Sequence, residues 1–310
     1  MLTKIFIILN KKKLRVYFTD FWVNFDFTDN YFYHLLSQKY RLEIDSNNPE
    51  ILFHSVDYSG EEGHKKYDNG FTKKIFFTGE NIKPNLNETH YSFSFSESLG
   101  SKNYRLPLWV LFINWFNVNN NINKRDPSYL ISLESLTKKR SKNIILKPFF
   151  CSFIASKPKG ERVNFVPKLD SEKKVHSLGR LYSNSYMKIH GRGDHKNKIN
   201  YMKMFKFNIS FENEISPGYV TEKIFHSLCA NSIPIYWGDK KVKDDFNEDA
   251  FLYYGDFKDS ESLIQEILNI NNKKEILLDY LNQPIFKNNK IPDFCLPENI
   301  LDFLSEVIEK

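Results

Sequence analysis

One stretch, residues 205–239, constrains the fold of this 310-residue chain more than any other. Over residues 205–211 apolar side chains alternate with polar ones, which is the period of a strand with one buried face. Loop residues and Pro217 follow, and apolar side chains then recur at helical spacing over residues 219–230. An apolar run at residues 232–237 is typical of a buried strand. The stretch therefore predicts a βαβ unit, which implies a parallel sheet with a right-handed crossover.

The predicted helix has two different sides. The apolar side is formed by Val220, Ile224, Phe225, Leu228 and Cys229. The polar side is formed by Tyr219, Glu222, Lys223 and His226. Asn231 is predicted to end the helix in a left-handed conformation. Ligands of parallel sheets bind beyond the carboxyl ends of the strands, so residues 212–223 are predicted to lie at a ligand site.

Length and composition favour two domains and exclude some classes of protein. A chain of 310 residues with 41% hydrophobic residues can bury a large core. The formal charge of +6 is mild for this length, and it suits a phosphate-bearing ligand better than nucleic acid. The three cysteines are an odd number without ligand-like spacing, which favours a reducing compartment. No apolar run is long enough to span a membrane.

The rest of the chain repeats the alternation of strands and helices, so two Rossmann-like domains are predicted. Further strands are predicted at residues 14–19, 41–44, 50–54, 74–78, 91–95, 147–155 and 175–178. Further helices are predicted at residues 30–40, 109–116, within 162–173, and at 260–269, 273–281 and 298–308. Residues 57–70 are predicted as an exposed loop, with part of a helix as the alternative, and residues 186–203 as a polar approach to the next strand. The predicted domains are 1–138, 139–290 and a C-terminal helix at 291–310.

Two groups of residues are placed to carry chemistry. A helix N-terminus with Lys223 in its first turn can bind phosphate, although an adjacent Glu222 and Lys223 are also a common surface pair. Glu80 directly follows a predicted buried strand and is either a general base or an acid that caps its turn. The sequence contains no Asp-x-Asp motif, and its eight histidines show neither HExxH nor Cys/His zinc spacing. We therefore predict no metal site.

The stretch at residues 205–239 resembles the α-1,3-fucosyltransferase family, glycosyltransferase family 10, in its bacterial form. The resemblance rests on three ordered motifs: Phe211-Glu-Asn213, Gly218-Tyr-Val-Thr-Glu-Lys223 and Ile233-Pro-Ile-Tyr-Trp-Gly238. Weaker matches support it: Phe77-Thr-Gly-Glu-Asn81, Tyr104-Arg-Leu-Pro107, Phe153-Ile-Ala-Ser156 and His176-Ser-Leu-Gly-Arg180. Together these motifs cover roughly residues 14–284.

The resemblance implies a GT-B fold, in which two Rossmann-like, doubly wound domains face each other and the active site lies in the cleft between them. It implies an inverting transfer of L-fucose from GDP-fucose to an oligosaccharide acceptor, with Glu80 as catalytic base. It assigns the donor diphosphate to Arg162 and Lys223, with Glu222 at the ribose. The remaining donor-site residues that it implies are Asn213, Tyr219 and Arg180. No cofactor is required, and a divalent metal would at most stimulate the reaction.

Some features depart from the family or stay open. Bacterial relatives often carry C-terminal heptad repeats and a basic amphipathic tail, and this sequence ends at Lys310 without either. A cytoplasmic enzyme is expected, with peripheral contact to the inner face of a membrane left open. Neither the acceptor, expected at O-3 of GlcNAc or Glc in a surface polysaccharide, nor the oligomeric state follows from the sequence. Two rival readings are a transferase for another GDP-sugar and a non-catalytic protein that binds polyanions.

Overall fold

The computed structural model describes residues 11–57, 60–97, 99–119, 127–137, 147–189 and 194–309. The chain divides into two compact units. The first comprises Met1–Leu111, Trp115–Asp126 and Asp293–Lys310, and the second comprises Phe112–Asn114 and Pro127–Pro292. The division therefore falls before the predicted limit at residues 138 and 139, which lies outside the described residues. The C-terminal helix, predicted as a segment of its own, belongs to the first unit.

The elements are numbered in chain order. The strands are β1 (Lys13–Thr19), β2 (Arg41–Ile44), β3 (Ile51–His54), β4 (Lys73–Phe77), β5 (Tyr91–Ser94), β6 (Asn103–Arg105), β7 (Ile113–Asn114), β8 (Ile131–Ser132), β9 (Phe149–Phe153), β10 (Val175–Ser177), β11 (Phe205–Phe211), β12 (Ile233–Trp237) and β13 (Leu252–Tyr253). The α-helices are α1 (Tyr31–Leu36), α2 (Leu133–Thr137), α3 (Arg162–Glu172), α4 (His195–Met202), α5 (Glu222–Cys229), α6 (Val242–Asp245), α7 (Ser260–Asn272), α8 (Lys274–Asn282) and α9 (Pro297–Glu309). Short 3₁₀ helices lie at Gly63–Tyr67, Gly100–Lys102, Leu108–Phe112, Glu248–Ala250, Tyr254–Asp256, Lys287–Asn289 and Asp293–Cys295.

The first unit is built on a six-stranded sheet in the order β2-β1-β3-β4-β5-β6. All five pairings in it are parallel. Its core is largely aromatic where the central strands, which are buried on both faces, meet α1. Phe32 of α1 packs against Phe53, Phe77 and Phe93 of three neighbouring strands. The carboxyl ends of these strands lie at one edge of the sheet, as the sequence predicts.

Helix α9 joins the first unit through contacts that are distant in sequence. The Phe303 ring packs against Phe93 and Tyr104, at centroid distances of 5.4 Å each. The Tyr104 hydroxyl donates to the carbonyl oxygen of Phe294 at 2.8 Å, and Lys73 Nζ donates to that of Val307 at 2.8 Å. These contacts explain why the helix closes the first unit instead of standing apart.

The second unit contains a five-stranded parallel sheet in the order β10-β9-β11-β12-β13. A separate parallel pair, β7 with β8, lies in the same unit. One face of β11, with Phe207 and Ile209, packs in the apolar core with residues of α3 and α7. Ser210 points to the other face, where its hydroxyl lies 2.7 Å from that of Ser227 in α5. Helices therefore cover both faces, which confirms the predicted doubly wound arrangement.

Most predicted elements are confirmed, and three are corrected. Residues 109–116 form a 3₁₀ helix and the two-residue strand β7 instead of an α-helix. Residues 186–203 contain α4, which the polar sequence did not indicate. The helix predicted from residue 219 begins at Glu222, because Gly218 is left-handed with φ 82° and Thr221 is extended. Asn231 is left-handed, with φ 52°, as predicted. None of the described helices is long and apolar enough to cross a membrane, and the three cysteines are free thiols.

Candidate functional site

Glu212 organises the carboxyl end of β11. Its side chain is fully buried, and Oε1 accepts a hydrogen bond from the backbone N–H of Thr221 at 2.8 Å. The Thr221 hydroxyl donates to the same carboxylate at 2.9 Å, and Lys223 Nζ donates to Oε2 at 2.7 Å. A buried carboxylate needs such partners, since an unpaired one would be strongly destabilising. Glu212 therefore fixes both the residue before α5 and the lysine in its first turn.

Lys223 is held on one side and open on the other. Its ammonium donates to Glu212 and, at 3.0 Å, to the Thr221 hydroxyl. An ammonium group has three N–H donors, so one has no protein partner among the described residues. The side chain is 22% exposed. Burial alone would lower the pKa of Lys223, but the Glu212 and Glu222 carboxylates outweigh burial and raise it. Lys223 is a cation with a spare donor.

Glu222 pairs with a lysine from the missed helix α4. Lys198 Nζ lies 3.4 Å from Glu222 Oε1, and both side chains are largely buried. Burial alone would raise the pKa of Glu222, but the Lys198 and Lys223 ammonium groups outweigh it and hold that pKa well below its usual value. Burial in turn lowers the pKa of Lys198 despite the nearby carboxylate. Glu222 is therefore an ionised acceptor at neutral pH.

Arg162 lies at the start of α3 and ties that helix to the end of β11. Its Nη2 donates to the carbonyl oxygens of Phe211 and Glu212, at 2.9 and 2.7 Å, and to Asn213 Oδ1 at 3.1 Å. The residue is only 3% exposed, and Nε has no hydrogen-bond partner among the described residues. Burial lowers the pKa of Arg162 although Glu212 opposes that effect. Arg162 thus positions Asn213 and keeps unused donors of its own.

The loop between β11 and α5 is fixed by close backbone contacts. The N–H of Gly218 donates to Asp239 Oδ1 at 3.0 Å, which ties the loop to the end of β12. Gly160 also needs to be a glycine: its φ is 62°, and a Cβ there would lie 2.7 Å from the Trp237 ring and 3.1 Å from the carbonyl oxygen of Asn213. The loop is therefore held rigidly where the predicted ligand residues lie.

Two residues predicted on the polar side of the helix are buried. Tyr219 is 2% exposed and precedes the helix, near enough to Arg162 for the phenol to influence the pKa of that guanidinium. His226 is fully buried and packs edge to face against Phe112 at 4.6 Å. Burial and then Lys198 lower the pKa of His226 well below its usual value, so this imidazole is neutral. Part of the predicted polar side, Tyr219 and His226, is therefore buried within the second unit.

The remaining predicted residues lie outside this group. Arg180 is exposed on the turn after β10, at the edge of the sheet, and forms no hydrogen bond or ion pair with the described part of the chain. Glu80 belongs to the first unit and is half buried on the turn after β4. Thr78 Oγ1 accepts from the Glu80 N–H at 3.0 Å and donates to the Glu80 carbonyl oxygen at 3.2 Å. This turn leaves the Glu80 carboxylate at the carboxyl edge of the first sheet.

The structure thus brings together four of the predicted donor residues, Arg162, Asn213, Glu222 and Lys223, in the second unit. Two further members of the group were not singled out as site residues from the sequence: Glu212, although it lies in the predicted ligand range 212–223, and Lys198. Glu212 was interpreted as a loop residue, although its position directly after an apolar strand was a usable signal. The three cations and two carboxylates of this group can hold an anion by spare N–H donors and a hydroxyl group by an ionised acceptor.

Two family models match most of the chain. Residues 143–285 match the model of the glycosyltransferase family 10 (fucosyltransferase) C-terminal domain, and residues 16–112 match that of the α-(1,3)-fucosyltransferase FucT N-terminal domain. The α-(1,3)-fucosyltransferase FucT of Helicobacter pylori is 30% identical over 280 residues, which are 83% of this chain and 56% of that protein. This chain therefore spans about half the length of that relative.

Solved structures share the fold over nearly the whole chain. An α1,3-fucosyltransferase structure with a TM-score of 0.76 is 25% identical and covers 97% of this chain, which in turn covers 92% of that one. A second α1,3-fucosyltransferase structure, with GDP-fucose, has a TM-score of 0.69, 24% identity and the same two coverages. The predicted GT-B class, with a Rossmann-like sheet in each unit, is confirmed by these matches.

Proposed function

Because this chain belongs to glycosyltransferase family 10, the α-1,3-fucosyltransferase family, we propose that it transfers L-fucose from GDP-fucose to a hydroxyl group of an acceptor glycan. The observation that carries this proposal is the state of Lys223: its ammonium is partly exposed, is oriented by Glu212 and keeps one N–H donor for a ligand. Relatives with GDP and GDP-fucose bound have the same fold, and they make a GDP-sugar the first donor to test.

In the proposed donor site, Lys223 and Arg162 neutralise the diphosphate of GDP-fucose. Their charges offset the negative charge that grows on the diphosphate as the bond to fucose breaks, which lowers the barrier to transfer. Glu222 accepts hydrogen bonds from the ribose hydroxyl groups, while Asn213 and Tyr219 contact the donor nearby. Arg180 is the most remote of the proposed contacts. This arrangement requires no metal cofactor, because protein cations take the role that a metal has in other transferases.

Glu80 is the proposed catalytic base. It removes the proton from the acceptor hydroxyl while that oxygen forms a bond to the anomeric carbon of fucose. The bond from the anomeric carbon to the β-phosphate oxygen breaks on the opposite side, GDP leaves, and the configuration inverts. O-3 of GlcNAc or Glc in a surface polysaccharide is the acceptor position that we propose. Holding acceptor and donor in line supplies much of the rate enhancement.

A donor panel tests the substrate. The chain is incubated with GDP-fucose, GDP-mannose, UDP-galactose or dTDP-rhamnose together with a mixture of GlcNAc-containing acceptors, and the released nucleotide is measured. We expect turnover with GDP-fucose. Turnover with a different GDP-sugar would replace fucose in the proposal, and binding of polyanions without turnover of any donor would refute the enzymatic function.

Glu80→Gln tests the base. We expect GDP to bind this variant as it binds the wild type, while transfer falls by about a hundredfold or more, as is usual for loss of a general base. Glu43→Gln is the matched control, since Glu43 is an exposed carboxylate of β2 in the same unit. An unchanged turnover number for Glu80→Gln would remove Glu80 from the mechanism.

A further inference from the structure

A cluster of two histidines and an aspartate lies in the first unit, separate from the residues assigned above. Asp20 directly follows β1, His54 is the last residue of β3, and His64 lies in the 3₁₀ helix Gly63–Tyr67. Strands β1 and β3 are neighbours, so both bring these residues to the carboxyl edge of the sheet. One potential ligand atom from each residue lies within 4.8 Å of the other two. The spacing along the sequence gave no sign of this cluster, because its members come from three segments.

The imidazoles of His54 and His64 are buried, and most of their ring nitrogens form no hydrogen bond with the described residues. His54 is 4% exposed and His64 is 7% exposed, and their rings stack with centroids 4.5 Å apart. Both ring nitrogens of His54 and Nε2 of His64 are buried and have no hydrogen-bond partner in the part of the chain that the structure describes. Buried polar atoms are nearly always paired in native proteins. Three such nitrogens on adjacent rings are therefore available to bind a ligand.

Asp20 holds one of these rings in place. Its Oδ1 accepts from the N–H of Gly63 at 2.8 Å, and its Oδ2 accepts from the N–H of His64 at 3.0 Å. Oδ2 also lies 2.6 Å from His64 Nδ1. A carboxylate in contact with an imidazole is the usual arrangement around a protein-bound metal, where it fixes the ring and raises its basicity. The Asp20 and His64 pair is thus arranged before any ligand arrives.

A cavity that contains several charged side chains gives access to the cluster. It has a volume of about 410 Å³, and its lining includes His54, His64, Asp57, Glu62, Lys83 and Glu88. Glu88 is partly exposed, and its Oε2 lies 3.9 Å from His64 Nε2, so a further carboxylate is at hand. The buried cation Lys74 is ion-paired with Asp68, and the cavity lining holds three carboxylates against the one ammonium of Lys83. The charge around the cavity therefore does not oppose a cation.

We propose that His54 and His64 bind a divalent transition-metal ion of the zinc class, with Asp20 orienting the His64 ring through Nδ1 and Glu88 able to add a further ligand from the cavity. Imidazole nitrogen and carboxylate oxygen are the donors that such ions prefer. Around a tetrahedral zinc ion, bonds of about 2.1 Å place ligand atoms about 3.4 Å apart. Ligand atoms up to 4.8 Å apart must therefore approach each other by up to about 1.4 Å, and the His54 ring can rotate toward the ion without breaking a hydrogen bond.

The test uses the untagged full chain after removal of metals with EDTA. Co²⁺ is titrated and followed by its visible absorption, and Zn²⁺ is titrated by calorimetry. We expect one ion per chain, and an affinity about a hundredfold or more weaker in His54→Gln and in His64→Gln. His176→Gln, which alters a half-buried histidine of β10 in the second unit, should bind as the wild type does. Binding that is unchanged in both cluster variants, or absent from the wild type, overturns the proposal.

A second measurement uses only the wild-type chain. Its result therefore does not depend on whether the variants fold correctly. The wild-type chain is labelled with ¹⁵N at its histidine rings, and the ring nitrogen signals are recorded with and without Zn²⁺. Two imidazoles should move to the chemical shifts of metal-bound nitrogen at one equivalent of Zn²⁺, while the other six stay unchanged, since the chain has eight histidines. A spectrum in which no ring nitrogen moves would refute the site, whatever the variants do.

Discussion

Glu212→Gln should destabilise the second unit by about 2–3 kcal/mol. The substitution keeps the shape of the side chain and removes its charge. Wild-type Glu212 is fully buried and accepts from the Thr221 N–H, the Thr221 hydroxyl and Lys223. A glutamine carbonyl oxygen can retain part of this set, but its NH₂ group must then face a donor.

The magnitude follows from two limits. Removing one partner of a fully buried ion pair costs about 3–5 kcal/mol, because the other charge stays behind unpaired. Lys223 is 22% exposed and can turn partly toward water, so the lower end of that range applies. One retained hydrogen bond reduces the loss by about 1 kcal/mol. The estimate of about 2–3 kcal/mol remains.

The assay is urea unfolding of the wild type and of Glu212→Gln. The free energies of unfolding are compared with the same dependence on urea concentration assumed for both proteins. Glu214→Gln is the matched control: Glu214 lies two residues away, is 56% exposed and pairs with Lys159 at 3.4 Å. An exposed pair of this kind contributes well under 1 kcal/mol. Equal losses in the two variants would refute the role of Glu212 as the anchor of this site.

Three further predictions concern its neighbours. Arg162→Lys should lower the free energy of unfolding by about 1–3 kcal/mol in urea, since an ammonium cannot reach all three oxygens to which Nη2 donates hydrogen bonds. Glu222 has a lowered pKa, so its pairing stabilises the fold above its usual pKa of 4.5 and is lost as the pH falls below it. The stability advantage of the wild type over Glu222→Gln should therefore shrink between pH 5 and the acid limit of folding, and a constant difference would contradict the pairing. Lys223→Ala should weaken GDP binding by about tenfold or more in calorimetry, while Lys159→Ala should not.

The βαβ unit around the site could be predicted because its signals are local. Alternation along β11, the breakers at Pro217 and Gly218, and the apolar run of β12 each lie within one element. The strand ends of a parallel sheet then place residues 212–223 at the ligand edge without further information. The position of Lys223 thus followed from the sequence alone.

The partners of these residues could not be predicted in the same way. Helix α4 supplies Lys198, yet only Ile199 and Met202 in it are apolar and buried, so its periodicity is weak. The burial of His226 could not be predicted because a helical wheel cannot show that Phe112 covers it. Helix α9 joins the first unit through contacts with β5 and β6, and no local pattern encodes such a distant pairing. The sequence alone therefore does not show which residues that are far apart along the chain contact each other.

The two carboxylates beside the proposed donor site call for a physical reason, because they repel the diphosphate that the cations attract. At about 6 Å and an effective dielectric constant of about 20, one such repulsion amounts to about 3 kcal/mol. Glu212 also has a favourable effect on binding. Its hydrogen bond orders the Lys223 side chain in advance, so the ligand does not have to supply the ordering cost of about 2 kcal/mol. The two effects are similar in size, so Glu212 should alter GDP affinity little, within about tenfold. Its contribution is then to orientation, because it holds the third ammonium proton of Lys223 in a fixed direction, and removing it should reduce the rate of transfer more than the binding of GDP.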